Sequence, residues 1–220
     1  MIALILARGD SKSVPRKNLK ELCGKPLLWY PINAAIKTKL ISDIFVSTDD
    51  NEIADIAKSY GAKVIERPPE LAKDASLDID AFSHFCYETN YNEPIVHLRA
   101  TTPILDPKTI DEAVLKYEEN KDRFTSLRSA HETSESALKF YLKGNDYWEP
   151  LMNSLTEKPR QKCPKTYAPN GYVDIVNPKV FMNGNDFYGD KIYPFITKFT
   201  PEIDTMEDFE YIKFLMNKDV

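Results

Sequence analysis

The sequence is short of the residues that build metal centres and covalent staples. Its 220 residues include three cysteines and three histidines. Cys23, Cys86 and Cys163 stand far apart and form no C-x-x-C pair, and His84, His97 and His131 do not cluster. This pattern argues against a zinc site or a disulfide framework, and points to reduced thiols in a cytoplasm. No run approaches the ~18 apolar residues of a membrane span, and no basic stretch precedes a long apolar one at the N-terminus. Neither a membrane segment nor a signal peptide is expected. An excess of positive charge is missing too: 29 Lys and Arg face 34 Asp and Glu, a net of −5. Such a chain is a poor general binder of nucleic acid, so cations for an anionic ligand must be gathered locally. Glycine is scarce, at seven residues, and neither G-x-x-x-x-G-K-[ST] nor G-x-G-x-x-G occurs. That weakens an ATPase or a nicotinamide dehydrogenase. There is no internal repeat and no low-complexity tract.

What is present begins at the first residue. Ile2 to Ala7 is an unbroken apolar run of the kind that forms a buried strand of a parallel sheet. It delivers a loop, Arg8-Gly9-Asp10-Ser11-Lys12-Ser13, followed by Pro15-Arg16-Lys17-Asn18. Arg8, Lys12, Arg16 and Lys17 offer charge-assisted donors to phosphate oxygens. Gly9 allows close backbone approach. A loop at the C-terminal end of a strand is where α/β sheets bind ligands, so the stretch reads as a polyphosphate cradle.

The remaining pattern is an alternation of helices and strands. Helical spacing covers Leu27 to Lys37, Asn51 to Tyr60 (closed by Gly61), Asp78 to Thr89, Asp106-Pro107 to about Glu119, and a last helix opened by Thr205 with Asp208 as a capping box. Strands are expected at Asp43 to Ser47, Lys63 to Glu66, Pro94 to Leu98, Phe124 to Ala130, Asn170 to Val176 and Lys191 to Lys198. The order predicts an α/β chain of one domain, residues 1–220, with a mostly parallel sheet and helices on both faces. From 132 to 169 helical periodicity is lost, strands become short and aromatic, and prolines gather. A long excursion of this kind is usually functional or an interface.

Several stretches resemble the acylneuraminate cytidylyltransferase family. They are Ala7 to Lys12, Pro15 to Leu19, Gly24 to Leu27, Val46 to Asp50, Arg67 to Ala72, Thr101-Thr102-Pro103, Arg160-Gln161, Pro169-Asn170-Gly171 and Ile203-Asp204-Thr205, in the family's order along nearly the whole chain. The resemblance implies a Rossmann-like nucleotidyltransferase fold and Mg²⁺-dependent transfer of CMP from CTP to an acidic, nonulosonic sugar. It implies that Arg8, Ser11, Lys12 and Lys17 hold the triphosphate, with Arg8 and Lys17 acting on the transferring group. Asn18, Arg67 and Asp78 would fix the nucleotide. Arg99, Thr101, Arg160, Gln161, Asn170, Asp174, Phe187 and Tyr188 would border the sugar, the aromatic pair standing where the family takes it from the opposite subunit. Glu202 and Asp204, two apart on an extended segment, would share one face and bind the metal, or else order the helix start. Residues 132–169 would build a homodimer and close over the sugar.

Departures from the family bear on the substrate. Asp10, Arg99-Ala100, Asp78, Ala168 and Asp174 replace its usual Gly, Gln-Pro, Ser, Arg and Tyr. Arg99 and Asp174 either pair with each other or read a differently substituted acid. Another acidic sugar such as a deoxy-octulosonate, a phosphate or phosphonate acceptor, or an idle nucleotide-sugar-binding protein stay open at this point.

Overall fold

A computed structural model describes residues 1–184 and 186–218. In chain order its strands are β1 (Ile2–Leu6), β2 (Glu21–Leu22), β3 (Lys25–Pro26), β4 (Asp43–Thr48), β5 (Lys63–Glu66), β6 (Ile95–Arg99), β7 (Ser126–Glu132), β8 (Tyr141–Lys143), β9 (Trp148–Pro150), β10 (Tyr167–Val176) and β11 (Ile192–Ile196). Its α-helices are α1 (Trp29–Lys37), α2 (Asn51–Ser59), α3 (Asp78–Thr89), α4 (Pro107–Asn120), α5 (Pro178–Phe181) and α6 (Met206–Lys218).

Seven strands form one sheet in the order β11-β7-β10-β6-β1-β4-β5. All neighbouring pairs are parallel except those of β10, which runs antiparallel to both β6 and β7. β1 shows why the sheet is covered on both faces. Ala3, Ile5 and Ala7 enter a core with residues of α1, α2 and α4, while Ile2 and Leu4 enter a second core with residues of α3 and α5. This is the alternation of a strand buried on both sides. A third cluster joins Leu22, Leu27 and Tyr30 to Ile203 and to Phe209 and Ile212 of α6.

Helix starts follow the sequence signals. Asp50 Oδ1 accepts from Ile53 N at 2.9 Å, and Asp106 Oδ1 accepts from Lys108 N at 3.0 Å. At α6, Asp208 N donates to Thr205 Oγ1 at 3.1 Å while Thr205 N donates to Asp208 Oδ2 at 2.8 Å, the reciprocal pair of a capping box.

The chain runs outward from β1 through β4 and β5, then returns across β1 to β6. The crevice at the C-terminal ends of β1 and β6 is therefore the switch point where α/β sheets bind ligands. Several boundaries shift by one or two residues, β7 covering Ser126–Glu132 and β11 Ile192–Ile196; the largest difference at a strand start is that β10 begins at Tyr167 rather than Asn170, because Tyr167 to Pro169 pair with Glu132 to Ala130. The register then shifts between Pro169 and Asp174. The excursion thus ends in the main sheet, and between its ends it carries the small β8–β9 hairpin. Among the described residues, no helix is long and apolar enough to cross a membrane.

Candidate active site

The switch point opens into a cleft of about 440 Å³. Separate segments bring Arg8, Ser11, Lys12, Lys17, Asn18, Arg67, Asp78, Arg99, Thr101 and Asp204 to its walls. These residues lie far apart in sequence, and the ends of β1, β5 and β6 assemble them.

The loop after β1 is held by carboxylates. Arg8 Nη1 lies 2.7 Å from Asp74 Oδ1, and Lys12 Nζ touches Asp74 Oδ2. Gly9 N donates to Asp49 Oδ1 at 3.0 Å. Asn18, 7% exposed, donates to the Arg8 carbonyl at 2.9 Å and so fixes the turn of the loop. Lys17 Nζ donates to the Ile203 carbonyl at 2.9 Å and lies 3.5 Å from Asp204 Oδ1. It therefore ties the cationic loop to the acidic segment. Arg16 departs from the expected cradle. Its backbone is left-handed at φ 53°, and its guanidinium pairs with Asp50 and Glu52 at 2.5 Å each. The acidic start of α2 draws it away from the cleft.

At the inner end stands Arg67, also 7% exposed. Its Nε and Nη2 have no hydrogen-bond partner among the described residues, and burial lowers its pKa. A buried guanidinium with free donors is costly unless a ligand supplies acceptors. Beside it, burial would raise the Asp78 carboxyl, but His97, Arg99 and Arg67 hold it below its usual range.

Arg99 both pairs with acids and lines the cleft. Its Nη1 is 3.1 Å from Asp78 Oδ2 and its Nη2 is 3.7 Å from Asp174 Oδ2. Asp174 is 2% exposed and lies beneath Arg99, outside the lining of the cleft. Asp174 accepts from Tyr188 Oη at 2.8 Å and from Ser129 N at 3.1 Å. Burial raises its pKa in spite of Arg99. The Arg128 guanidinium stacks 4.3 Å over the Tyr188 ring.

Other expected sugar contacts lie elsewhere. Within the chain, Phe187 packs edge-on to Phe82 with ring centroids 5.0 Å apart, and Tyr188 Oη donates to Asp174 Oδ2. Asn170, 2% exposed, donates to Thr197 Oγ1 at 2.6 Å and borders a separate cavity with His131 and Glu202. Arg160 and Gln161 are exposed on the excursion and do not line the cleft.

The two acids flank Ile203, which is fully buried and anchored by its N–H to the Thr101 carbonyl at 2.9 Å. Asp204 stands at the cleft rim, whereas Glu202 is turned inward beside Arg99 and Gly171. Gly171 is required there. Its φ is +58°, and a Cβ would lie 2.6 Å from both Arg99 Cδ and Glu202 Oε1. Burial raises the Glu202 carboxyl; Arg99 opposes this, while Asp204 and Asp174 add to it. Among the described residues no group of three or more His, Cys, Asp or Glu side chains could hold a metal. Mg²⁺ needs only one or two carboxylates when phosphates and waters complete its shell, and these mutually repelling acids are hard oxygen donors. Asp204 at the cleft rim fits such an ion; Glu202 faces Arg99 and borders the separate cavity, so the two acids do not line the cleft together as their spacing suggested.

Two residues of the cleft escape a reading of the sequence. Asp74 follows the matched Arg67 to Ala72 stretch with no spacing signal of its own. His97, in an apolar strand, reads as core. It is indeed buried, packed 4.9 Å from the Phe82 ring, yet it also lines the cleft. Burial, reinforced by Arg99, pushes its pKa down to about 3. Because the unfolded chain binds this proton more readily, the stability tied to a neutral His97 is complete above about pH 6.5 and is lost as pH falls toward 3. The loss should reach about 2 kcal/mol by pH 5. Urea unfolding at pH 7 and pH 5 is expected to show a shallower loss in His97→Gln than in the parent chain; equal slopes would remove His97 from the pH response.

Comparison with known proteins bears on this site. Residues 2–143 match the family model described as cytidylyltransferase. The chain is 44% identical over 112 residues to N-acylneuraminate cytidylyltransferase A of Danio rerio, covering 51% of this chain and 26% of that protein. It is 29% identical over 215 residues to N-acylneuraminate cytidylyltransferase of Streptococcus agalactiae, covering 96% and 52%. The chain therefore spans about half, or less, of the length of these curated relatives. A solved structure of CMP:2-keto-3-deoxy-manno-octonic acid synthetase complexed with CTP shares the fold at TM-score 0.79 and 16% identity, covering 100% of this chain and 99% of that one.

Proposed function

The chain belongs to the cytidylyltransferase family, and we propose that it transfers CMP from CTP to an acidic, sialic-acid-like sugar and releases pyrophosphate. The observation that carries this reading is the composition of one cleft. Arg8, Lys12 and Lys17 stand at its phosphate end, Arg67 offers free buried donors at its inner end, and Asp204 stands at its rim.

The chemistry follows from the charges. The sugar hydroxyl oxygen attacks the α-phosphorus in line, the bond to the pyrophosphate oxygen breaks, and the hydroxyl proton passes to water. Negative charge grows on the non-bridging and leaving oxygens, where fixed cations stabilise it most. Arg8 and Lys12 hold the departing phosphates once Asp74 gives way. Lys17, already anchored to the Ile203 carbonyl, presents its ammonium between the phosphate loop and the acids. Asp204, joined by Glu202 were its carboxylate to turn from Arg99, would hold Mg²⁺, which when bound neutralises phosphate oxygens. Arg67 and Asp78 would face the base, and Arg99 with Thr101 the sugar. Pyrophosphate release across a panel of nucleoside triphosphates and acidic sugars, with Mg²⁺ and with EDTA, tests the whole assignment. Release with CTP and a nonulosonic acid that EDTA abolishes is expected; no release with any pair would refute it.

The reading extends to assembly. Residues 132–169 lie within a single nucleotidyltransferase domain as a dimer-forming extension. On it Phe140, Leu142, Tyr147, Trp148 and Leu151 are all about half exposed or more. An isolated two-stranded hairpin is marginal in water, and a partner's surface would cover these side chains. Light scattering at micromolar concentration should give the mass of two chains, and Leu142→Glu with Trp148→Glu should halve it. A parent chain that is monomeric under those conditions would end this part of the proposal.

A further inference from the structure

We propose that Asp74 is a built-in stand-in for a phosphate: its carboxylate occupies the cradle when no nucleotide is there, and competes with pyrophosphate for the same cations. The proposal rests on the nucleotidyl-transfer reading above. Asp74 divides its two oxygens between two cations, Oδ1 to Arg8 at 2.7 Å and Oδ2 to Lys12. One carboxylate bridging two phosphate-loop cations reproduces what two non-bridging phosphate oxygens would do there.

The bridge also borders open space. The main cleft of about 440 Å³ and a neighbouring cavity of about 430 Å³ share Arg8, Lys12 and Asp74 in their walls. All seven residues that line the smaller cavity also line the cleft, so the two are continuous, and moving Asp74 out would leave both cations facing that space.

The segment that carries Asp74 is suited to such a movement. It is a small turn closed on itself: Lys73 N donates to Ser76 Oγ at 3.1 Å, Ser76 Oγ donates to the Glu70 carbonyl at 3.2 Å, and Ser76 N donates to the Lys73 carbonyl at 3.0 Å. None of these bonds involves the sheet. The Asp74 side chain is 43% exposed, and among the described residues its ion pairs are those to Arg8 and Lys12. Exchanging these partners for a polyphosphate therefore breaks nothing else. Those same contacts hold the Asp74 carboxyl below its usual range, Lys12 contributing most, so the internal anion is charged at neutral pH.

The consequence is kinetic as well as thermodynamic. A cradle of several cations would otherwise hold pyrophosphate long after the sugar nucleotide has formed. An internal anion that returns to Arg8 and Lys12 lowers the affinity for the phosphate moiety by a common factor, whether that moiety belongs to CTP or to free pyrophosphate.

Calorimetry on Asp74→Asn and Asp74→Ala tests this, with pyrophosphate, CTP and cytidine as titrants, in EDTA and again in Mg²⁺. In EDTA both variants should bind pyrophosphate and CTP about tenfold more tightly than the parent chain, a shift of about 1.4 kcal/mol, and cytidine equally. Pyrophosphate should become a correspondingly stronger inhibitor of turnover. Unchanged or weaker pyrophosphate binding by folded variants in EDTA overturns the role of Asp74 while leaving the transferase reading intact. Weakening confined to Mg²⁺ would make Asp74 a metal ligand instead, and likewise overturns it. Failure of the parent chain itself to bind CTP and pyrophosphate would overturn both proposals.

Discussion

Replacing Lys17 with alanine is expected to cut kcat by about 10²- to 10³-fold while the protein stays folded. Lys17 Nζ has two neighbours on the acidic segment, the Ile203 carbonyl at 2.9 Å and Asp204 at 3.5 Å. Its ammonium is thus fixed before substrate arrives, and an interaction fixed in advance favours the transition state over the ground state. The stability lost should be small, about 1 kcal/mol for one hydrogen bond, since the side chain anchors no apolar cluster. The KM for CTP should rise far less than kcat falls, because on the proposed reading Arg8, Lys12 and Arg67 would still hold the nucleotide. Steady-state kinetics beside a thermal melt separate the two effects. Unaltered turnover in a folded Lys17→Ala protein would remove this lysine from the chemistry.

The second large effect concerns stability. Arg99→Gln removes the cation that lies between Asp78 and Asp174. Asp78 keeps solvent and Arg67 nearby, but Asp174 is 2% exposed and would retain the Tyr188 hydroxyl, the Ser129 N–H and the more distant charge of Arg128, with no ion pair. Leaving one member of a buried pair behind costs about 3–5 kcal/mol. A domain of this size should then melt several degrees lower, roughly 2–4 °C per kcal/mol. Adding Asp174→Asn removes the stranded charge, so the double variant should recover most of the loss, and the cycle measures the coupling. Because the rim of the Arg99 guanidinium also lines the cleft, the KM of the sugar should rise more than that of CTP. Additive losses in the double variant would mean that Arg99 and Asp174 do not depend on each other.

The sheet was largely legible because its signals are local. β5 and α3 fall on the residues that periodicity assigns, Lys63–Glu66 and Asp78–Thr89, and Asp50, Asp106 and Thr205 cap the helices they precede. The cationic end of the cleft was legible for the same reason: it is one contiguous loop after one apolar strand. What sequence could not supply was where opposite charges meet. Arg16 lies within four residues of Lys12 and Lys17, yet it turns to Asp50 and Glu52, while Arg8 and Lys12 converge on Asp74. These partners are brought together by crossovers of tens of residues, and no spacing rule links them. The sugar side was the least legible, because its buried charges compensate one another beneath the surface. Asp174 and Tyr188 look like ligand contacts when written as letters, and the letters do not show that Asp174 also contacts Arg99 and Tyr188.

The irregularity in β10 sets a limit on how this region can change. Between the pairs Pro169–Ala130 and Asp174–Arg128, β10 carries four residues, Asn170 to Val173, where β7 carries Ser129 alone. Ser129 clasps the slack by accepting from Val173 N at 3.0 Å and donating to Asp174 Oδ1 at 3.1 Å. Side chains on a strand alternate, so a one-residue slip of register here would rotate Asp174 to the other side of the sheet: a gained codon would bring Val173, and a lost one Ile175, under Arg99. Point replacement in this stretch tunes the site; a change in its length would invert it. Lengthening or shortening to suit a larger or smaller sugar is better tolerated in the excursion before Tyr167, whose turns lie outside the sheet.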